Sequence, residues 1–273
     1  MLRRFSAWVL PLVAASVWGA LPAAAEDQPF VTLYSTDIHE RGEGEFEQWL
    51  HWKTGHSGAS YDEFLARSEV EYGLLDDLQG SLYLSYDHSR TREAGGPADT
   101  DSFVGVQGEL IYRLLNVHSD PFGLALYVEP SYSAEEHGIE TKILLQKNFL
   151  HDALRWVVNV NFEDNWDRDQ GGWNKVSALE FDTGLAYRFT PELSGGVEFD
   201  NERAFNGLVL GGTASQQSSA YYLGPTIHYE GEPFDVTLGA QAQLPMSGAG
   251  ALNDGFVADA ERYRIILRIS CDL

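Results

Sequence analysis

Alternation is what most restricts the fold of this chain. From Glu45 onward, apolar and polar residues take turns along about twelve segments of roughly 9 to 14 residues, the length a tilted strand needs to cross a bilayer. They fall at 45–53, 61–72, 78–88, 103–115, 122–132, 139–149, 154–166, 177–189, 193–204, 218–230, 234–244 and 261–271. A period of two is that of a β-strand, whose successive side chains point to opposite faces. The stretch VEYGLLDDLQGSLYLSYDH, 70–88, shows the repeating unit: two alternating runs joined by a Gly/Asp cluster, which is the pattern of an antiparallel hairpin.

The connections carry the topology. GLLDD, NVHSDP, LHDA, TPEL and EGEP are short, whereas SRTREAGGPADTDS, DRDQGGWNKV, NGLVLGGTASQQS and SGAGALNDGFVADA are long. Apart from the stretches near 54–60 and 134–138, the two kinds alternate along the chain, which puts tight turns on one rim and long loops on the other. That asymmetry predicts an all-β, antiparallel up-and-down transmembrane β-barrel with short periplasmic turns and longer extracellular loops. A soluble sandwich or barrel with its apolar face inward is the competing solution.

The first residues point the same way. Arg3 and Arg4, an apolar run and Ala23-Ala24-Ala25 before Glu26-Asp27 have the form of a secretory signal with an A-x-A cleavage site, predicting a cleaved leader over 1–25. Pro11, Gly19 and Pro22 interrupt the run and argue against a retained anchor. The formal charge of −23 becomes two units more negative when Arg3 and Arg4 leave with the leader. Such acidity argues against nucleic acid as a partner. The single Cys271 excludes an internal disulfide.

Parity then assigns faces. Leu154, Trp156, Val158, Val160 and Phe162 oppose Arg155, Asn159, Asn161, Glu163 and Asn165, and in the strand at 234–244 Phe234, Val236, Leu238, Ala240, Ala242 and Leu244 oppose Asp235, Thr237, Gln241 and Gln243. Aromatic residues cluster at strand ends (Tyr72, Tyr86, Tyr112, Tyr132, Phe149, Tyr187, Phe189, Tyr229, Phe234), as interfacial girdles would. With the apolar parity in lipid, the lumen is expected to be lined by Glu69, Glu71, Asp87, Glu109, Glu129, Glu180, Asp182, Glu198, Asp200 and Glu202, with Arg262, Arg264 and Arg268 on the last strand. Pairing Lys53 with Tyr61 would set His51 opposite Glu63 and Glu47 opposite Arg67, and closure would bring Glu45 and Glu47 beside the arginine row.

PFVTLYSTDIHERGEGEFEQW and YDEFLARSEVEYGLLDDLQGSLYLSY resemble the N-terminal half of an uncharacterised family of Gram-negative outer-membrane proteins, a domain of unknown function. The EYG-x-x-D-x-LQ element at 71–79 is also similar to barrels associated with uptake of hydrophobic aromatic compounds. The resemblance covers about the first third of the mature chain and implies an outer-membrane barrel over 45–273 with no catalytic residues to carry over. Its surroundings would be outer-membrane lipid, lipopolysaccharide and the barrel-insertion machinery. Outer-membrane barrels usually end in an aromatic residue, whereas this chain ends Ser270-Cys271-Asp272-Leu273.

No catalytic, cofactor or metal motif is expected. G-x-S-x-G and H-E-x-x-H are missing from the sequence. Asp87 and His88 are adjacent in a strand and point to opposite faces. His51 and Ser85 share a face but form no motif. NWDRDQGGWN, 165–174, has a calcium-like Asn165, Asp167 and Asp169 spacing, but its Gly is late and no Glu closes it, so an exposed acidic loop is expected there. Two functions fit best, a narrow channel for small solutes with a weak cation preference or a filled barrel acting through its extracellular loops, with an outer-membrane hydrolase as the less favoured third. The strand-like FVTLYST within 26–44 leaves that segment as a plug, an extra strand or a periplasmic tail.

Overall fold

The structure, a computed structural model, describes residues 28–273 except 57–58, 94–95, 170–171, 210–211, 213, 247 and 258–259. The expected leader over 1–25 lies outside the described residues. Twelve strands form: Gly44–His56 (β1), Ala59–Leu75 (β2), Leu78–Glu93 (β3), Gly96–Leu115 (β4), Gly123–Tyr132 (β5), Glu136–Phe149 (β6), Leu154–Asp169 (β7), Gly172–Thr190 (β8), Leu193–Asn206 (β9), Ser215–Tyr229 (β10), Asp235–Gln243 (β11) and Tyr263–Asp272 (β12). Each pairs antiparallel with its sequence neighbours, and β1 pairs with β12 from Glu45↔Asp272 to Thr54↔Tyr263, so the sheet is a closed barrel. Closure leaves no edge strand with unpaired backbone groups. The last residue adds a further bond beyond β12, from the Leu273 amide to the Gly44 carbonyl at 2.9 Å.

Two expectations about the hairpins change. The first hairpin pairs Lys53 with Glu63, Trp49 with Arg67 and Glu47 with Glu69, two residues away from the expected register. A shift of two preserves parity, so alternation alone does not detect it. Lys53 reaches Glu63 at 3.4 Å, whereas Glu47 faces a like charge. Of the long connections, 89–102 and 167–176 are mostly strand: β3 and β4 pair to Glu93↔Gly96 and β7 and β8 to Asp169↔Gly172. Among the described residues, the longest stretches between strands after β1 fall within 207–214 and 244–262. Past the apolar belt the ladder still satisfies the backbone, and side chains paired directly across it, Arg90 with Asp99 at 2.8 Å as opposite charges and His88 with Asp101 at 2.7 Å as a hydrogen bond, favour its continuation. The calcium-like NWDRDQGGWN therefore contributes to two paired strands.

The faces follow parity. All nine end-of-strand aromatics named above are exposed on the outside, with Leu82, Leu84, Leu126 and Leu238 between them. Inside, Asn159, Asn161, Gln241, Thr237, Glu69 and Asp182 are buried. The barrel therefore has no central apolar core. Its buried apolar residues form small clusters, two of which include the segment that precedes β1: Phe30 and Leu33 with Val157 and Ala186, and Ile38, flanked by Tyr34, with Ile111, Ala125, Tyr127 and Leu144.

That segment, 28–43, forms no strand and runs inside the barrel wall. Glycines on the inner parity of four strands receive it. A Cβ at Gly73 would lie 2.0 Å from the Glu40 carbonyl oxygen, at Gly123 2.0 Å from Thr36 Oγ1, at Gly184 2.5 Å from Leu33, and at Gly239 2.3 Å from Val31. Gly184→Val is thus expected to force the segment off β8 at about 1–3 kcal/mol, the range for overpacking. Limited proteolysis should show cleavage within 28–43 in this variant while the barrel core stays resistant.

Candidate functional site

An irregular segment inside a barrel must find partners for backbone groups that no ladder serves. Here the wall supplies them, strand by strand. Arg268 and Thr237 donate to the Gln28 carbonyl, and Thr226 Oγ1 donates to that of Pro29 at 2.8 Å. The amides of Val31 and Thr32 donate to the two Glu198 carboxylate oxygens at 2.6 and 3.0 Å. Asn159 accepts from the Tyr34 amide at 2.7 Å and donates to its carbonyl at 2.9 Å. Gln146 accepts from the Thr36 amide, and Gln79 from that of His39, both at 2.8 Å. Gly73 then exchanges 2.9 Å backbone bonds with Gly42 and Glu43, delivering the chain to β1. The segment thus travels round the inside of the wall from β12 to β2 and fills the turn-side end of the lumen.

A second tie fastens its middle. Asp37 accepts from Gln146 at 2.9 Å and lies 3.5 Å from Arg155 and 3.2 Å from His118 in the turn after β4. Burial works against ionisation of Asp37, but the hydrogen bond with His118 and the charge of Arg155 outweigh it and hold the carboxyl below its usual range. The same hydrogen bond raises His118.

Above the segment a cavity of about 360 Å³ opens, with Val31, Thr32 and Tyr34 as its floor. Its walls carry Glu129, Glu140, Glu180, Asp182, Asp200 and Glu202 against Arg67, Lys142 and Arg264. The cations are pinned to rings: Arg67 between Trp49 and Tyr83 at 4.5 and 4.6 Å, Lys142 between Tyr34 and Tyr127 at 4.4 Å each, and Arg264 over Tyr222 at 3.5 Å. They also meet carboxylates, Lys142 with Glu140 at 3.2 Å and Arg264 with both Glu202 and Glu261. Like charges face each other across β8 and β9, as Glu180↔Glu202 and Asp182↔Asp200. Six carboxyl groups against three cations make the cavity an acid-rich vestibule.

The predicted lumen residues divide among several environments. Glu129, Glu180, Asp182, Asp200, Glu202 and Arg264 line the vestibule. Glu198 is consumed by the segment, and Asp200 is shared between Gln241 Nε2 at 2.6 Å and Thr32 Oγ1 at 3.2 Å. Glu69 and Glu71 sit lower, beside Glu47, and Glu109 is buried against Ser81. Asp87 lies higher on β3, opposite Leu65. Arg268 meets Glu47 at 3.4 Å, near the acidic pair that closure was expected to bring to it. Arg262 lies outside β12, paired with Asp254 at 3.2 Å and stacked on Phe256. His88 turns outward to Asp101, and Ser85 donates to Gln107 at 2.9 Å. Gln146 and Gln79 are not singled out from the sequence, and Asn159 is named there only as one polar residue of its strand's inner parity, because an inward amide looks like any polar lumen residue until its partner is known. Glu47, Glu69 and Glu71 can also bring one carboxylate oxygen each within 4.8 Å of one another, a group that could hold a metal and that sequence spacing did not reveal.

Residues 22–265 match a family described as a family of unknown function, DUF6662, and the chain belongs to it. No curated protein matches the sequence. Among solved structures, the COG4313 outer membrane channel from Pseudomonas putida F1 is similar, with a TM-score of 0.63 and 12% identity over 89% of this chain and 100% of that one. The NanC porin gives a TM-score of 0.54 and 11% identity over 84% and 100%. The beta domain of the Bordetella autotransporter Brka gives 0.54 and 9% over 86% and 100%. At these identities the likeness is one of fold.

Removing the amide anchors tests the arrangement. Asn159→Ala leaves two backbone groups of Tyr34 without partners and Gln146→Ala one of Thr36, at about 1–3 kcal/mol for each group left buried and unpaired. Slowed hydrogen exchange at residues 30–39 in the unmodified protein, lost in the double variant, is the expected outcome in mass spectrometry.

Proposed function

We propose that this member of the family resides in a bacterial outer membrane and admits small solutes, with a weak preference for cations, through a lumen that residues 28–43 close at the turn-side end. The observation that carries this is the combination of an apolar, aromatic-edged outer face with a carboxyl-rich vestibule whose floor is a segment of the chain rather than a wall strand. An apolar belt of this kind suits lipid and lipopolysaccharide as surroundings. In this reading the barrel-insertion machinery places the chain there. Fixed carboxylates in a confined space raise the local concentration of cations. Binding is not followed by chemistry in this reading.

A second reading has its own support. The segment is held by side chains from most of the wall, and a barrel so filled acts through the two long connections, 207–214 and 244–262. Planar-bilayer recordings separate the two. The unmodified protein is expected to conduct in short openings and to show a reversal potential on the cation side in a salt gradient, weakening as ionic strength shortens the screening length below about 8 Å. Glu129→Gln with Glu180→Gln, which leaves the Glu198 anchor intact, moves the reversal potential toward zero. Asn159→Ala with Gln146→Ala lengthens the openings. Anion preference in the unmodified protein would overturn the charge assignment, and silence in both the unmodified and the loosened barrel would favour the filled one.

The membrane itself is tested at Leu82, which is 68% exposed on the outer face. Leu82→Arg is expected to lower stability in lipid by about 2–4 kcal/mol, the range for a charge near the midplane. Equilibrium unfolding in liposomes measures this, with Leu82→Ala as the reference.

A further inference from the structure

The lower lumen contains an arrangement that neither the channel nor the filled barrel requires. On β1 and β2, Glu45 faces Glu71 and Glu47 faces Glu69, two successive like-charge pairs. All four are at least nine-tenths buried. Directly opposed like charges destabilise a strand pair, and burial deepens the penalty. Two guanidiniums answer part of it: Arg67 lies 3.1 Å from Glu69 Oε2 and Arg268 lies 3.4 Å from Glu47 Oε1. Four carboxylates against two arginines leave the charge that one divalent cation would match.

The geometry is that of a site. One carboxylate oxygen each from Glu47, Glu69 and Glu71 fits within 4.8 Å of the others. Ligand atoms about 2.0–2.2 Å from a common ion lie about 3.3–3.6 Å apart in a tetrahedral site, so binding would draw the three oxygens together by up to about 1.5 Å. Glu69 is the independent pointer: its side chain is fully buried, and its Oε1 receives no hydrogen bond while Oε2 faces Arg67. Beside the group is a void of about 20 Å³ lined by Glu45, Glu47, Glu71, Gln79 and Arg268. About 10–15 Å³ suffices for one water-sized particle. The segment brings a nitrogen to the edge of this group: His39 Nε2 lies 3.3 Å from Glu71 Oε2 and 3.6 Å from Glu45 Oε2, outside the mutually close set of three oxygens, and would move inward to ligate. Gln79 orients both partners, accepting from the His39 amide at 2.8 Å and donating to Glu71 Oε2 at 2.7 Å.

We propose that Glu47, Glu69, Glu71 and His39 bind one divalent transition-metal cation, of the Zn²⁺ or Mn²⁺ class, which fastens the N-terminal segment to β1 and β2. Imidazole with carboxylates suits these ions, whereas Ca²⁺ and Mg²⁺ favour sites built from oxygen alone. The vestibule above is no competitor, because the Glu47, Glu69 and Glu71 group is where carboxylates converge closely enough among the described residues.

The test uses the full-length protein in detergent, stripped with EDTA and dialysed, with Zn²⁺ or Mn²⁺ titrated against a chromophoric chelator. One saturable equivalent is expected for at least one of the two ions, bound at least about tenfold tighter than Ca²⁺, the scale on which disturbing a metal site changes affinity. Glu69→Gln and His39→Ala each weaken it by at least about tenfold, and the metal raises the Tm of the unmodified protein more than that of either variant. His39 belongs to the inner segment and to no wall strand, so His39→Ala remains informative if Glu69→Gln does not assemble. Lack of a saturable equivalent for both ions, Ca²⁺ binding of equal strength, or unchanged affinity in His39→Ala would each overturn the site, the like-charge pairs then being neutralised by shared protons.

Discussion

Backbone amides and carbonyls removed from bulk water must be paired, and this obligation organises the protein twice over. In the wall it is met by ladders, and the bonding of β12 to β1 completes the circuit so that no strand lacks a neighbour. Inside, residues 28–43 have no ladder, and the wall meets the same obligation with side chains: Glu198, Asn159, Gln146 and Gln79 each serve a different stretch of the segment. The closed wall is the precondition for the second arrangement, since it puts residues distant in sequence on one inner surface. Thr237 and Gln28 are more than two hundred positions apart and share a hydrogen bond.

Charge is arranged with equal economy. The inner cations are few, and Arg67, Lys142 and Arg264 are each held by a carboxylate on one side and an aromatic face on another. A cation over a ring keeps its charge but is confined in position. The carboxylates of the vestibule are left with the larger share of the field. Lower down, acidic residues are buried against the segment instead of lining open space, so the inner charges named from the sequence serve two purposes separated by height in the lumen.

The floor of that vestibule is the least strand-like part of the molecule, joined to the wall by hydrogen bonds, two small apolar clusters and the Asp37 contacts with Arg155 and His118. Hydrogen bonds of this kind contribute about 0.5–1.5 kcal/mol each net of water, more to a charged group. Several acting together hold the segment, through contacts separate from the ladders that close the wall. This distinguishes a floor made of chain from one made of wall.

Strand number, the inward or outward direction of almost every side chain and the aromatic belt are local properties with a period of two, and the sequence by itself determined them; Leu82 and Glu69 show their faces within a few residues. Register is not local. Lys53 with Tyr61 and Lys53 with Glu63 preserve the same parity, and only packing of the whole hairpin chose the second. The lengths of β3, β4, β7 and β8 likewise depended on pairing beyond the apolar belt. The docking path had left a trace, in Ile111, Ala125, Leu144, Val157 and Ala186, apolar residues on a parity otherwise polar, and in Gly123, Gly184 and Gly239 among them. That trace has no meaning until closure sets those strands around one lumen. Which carboxylates anchor the segment, which face the vestibule and which converge beside His39 was decided by the tertiary structure alone, because each depends on distances between residues that only a closed barrel brings together.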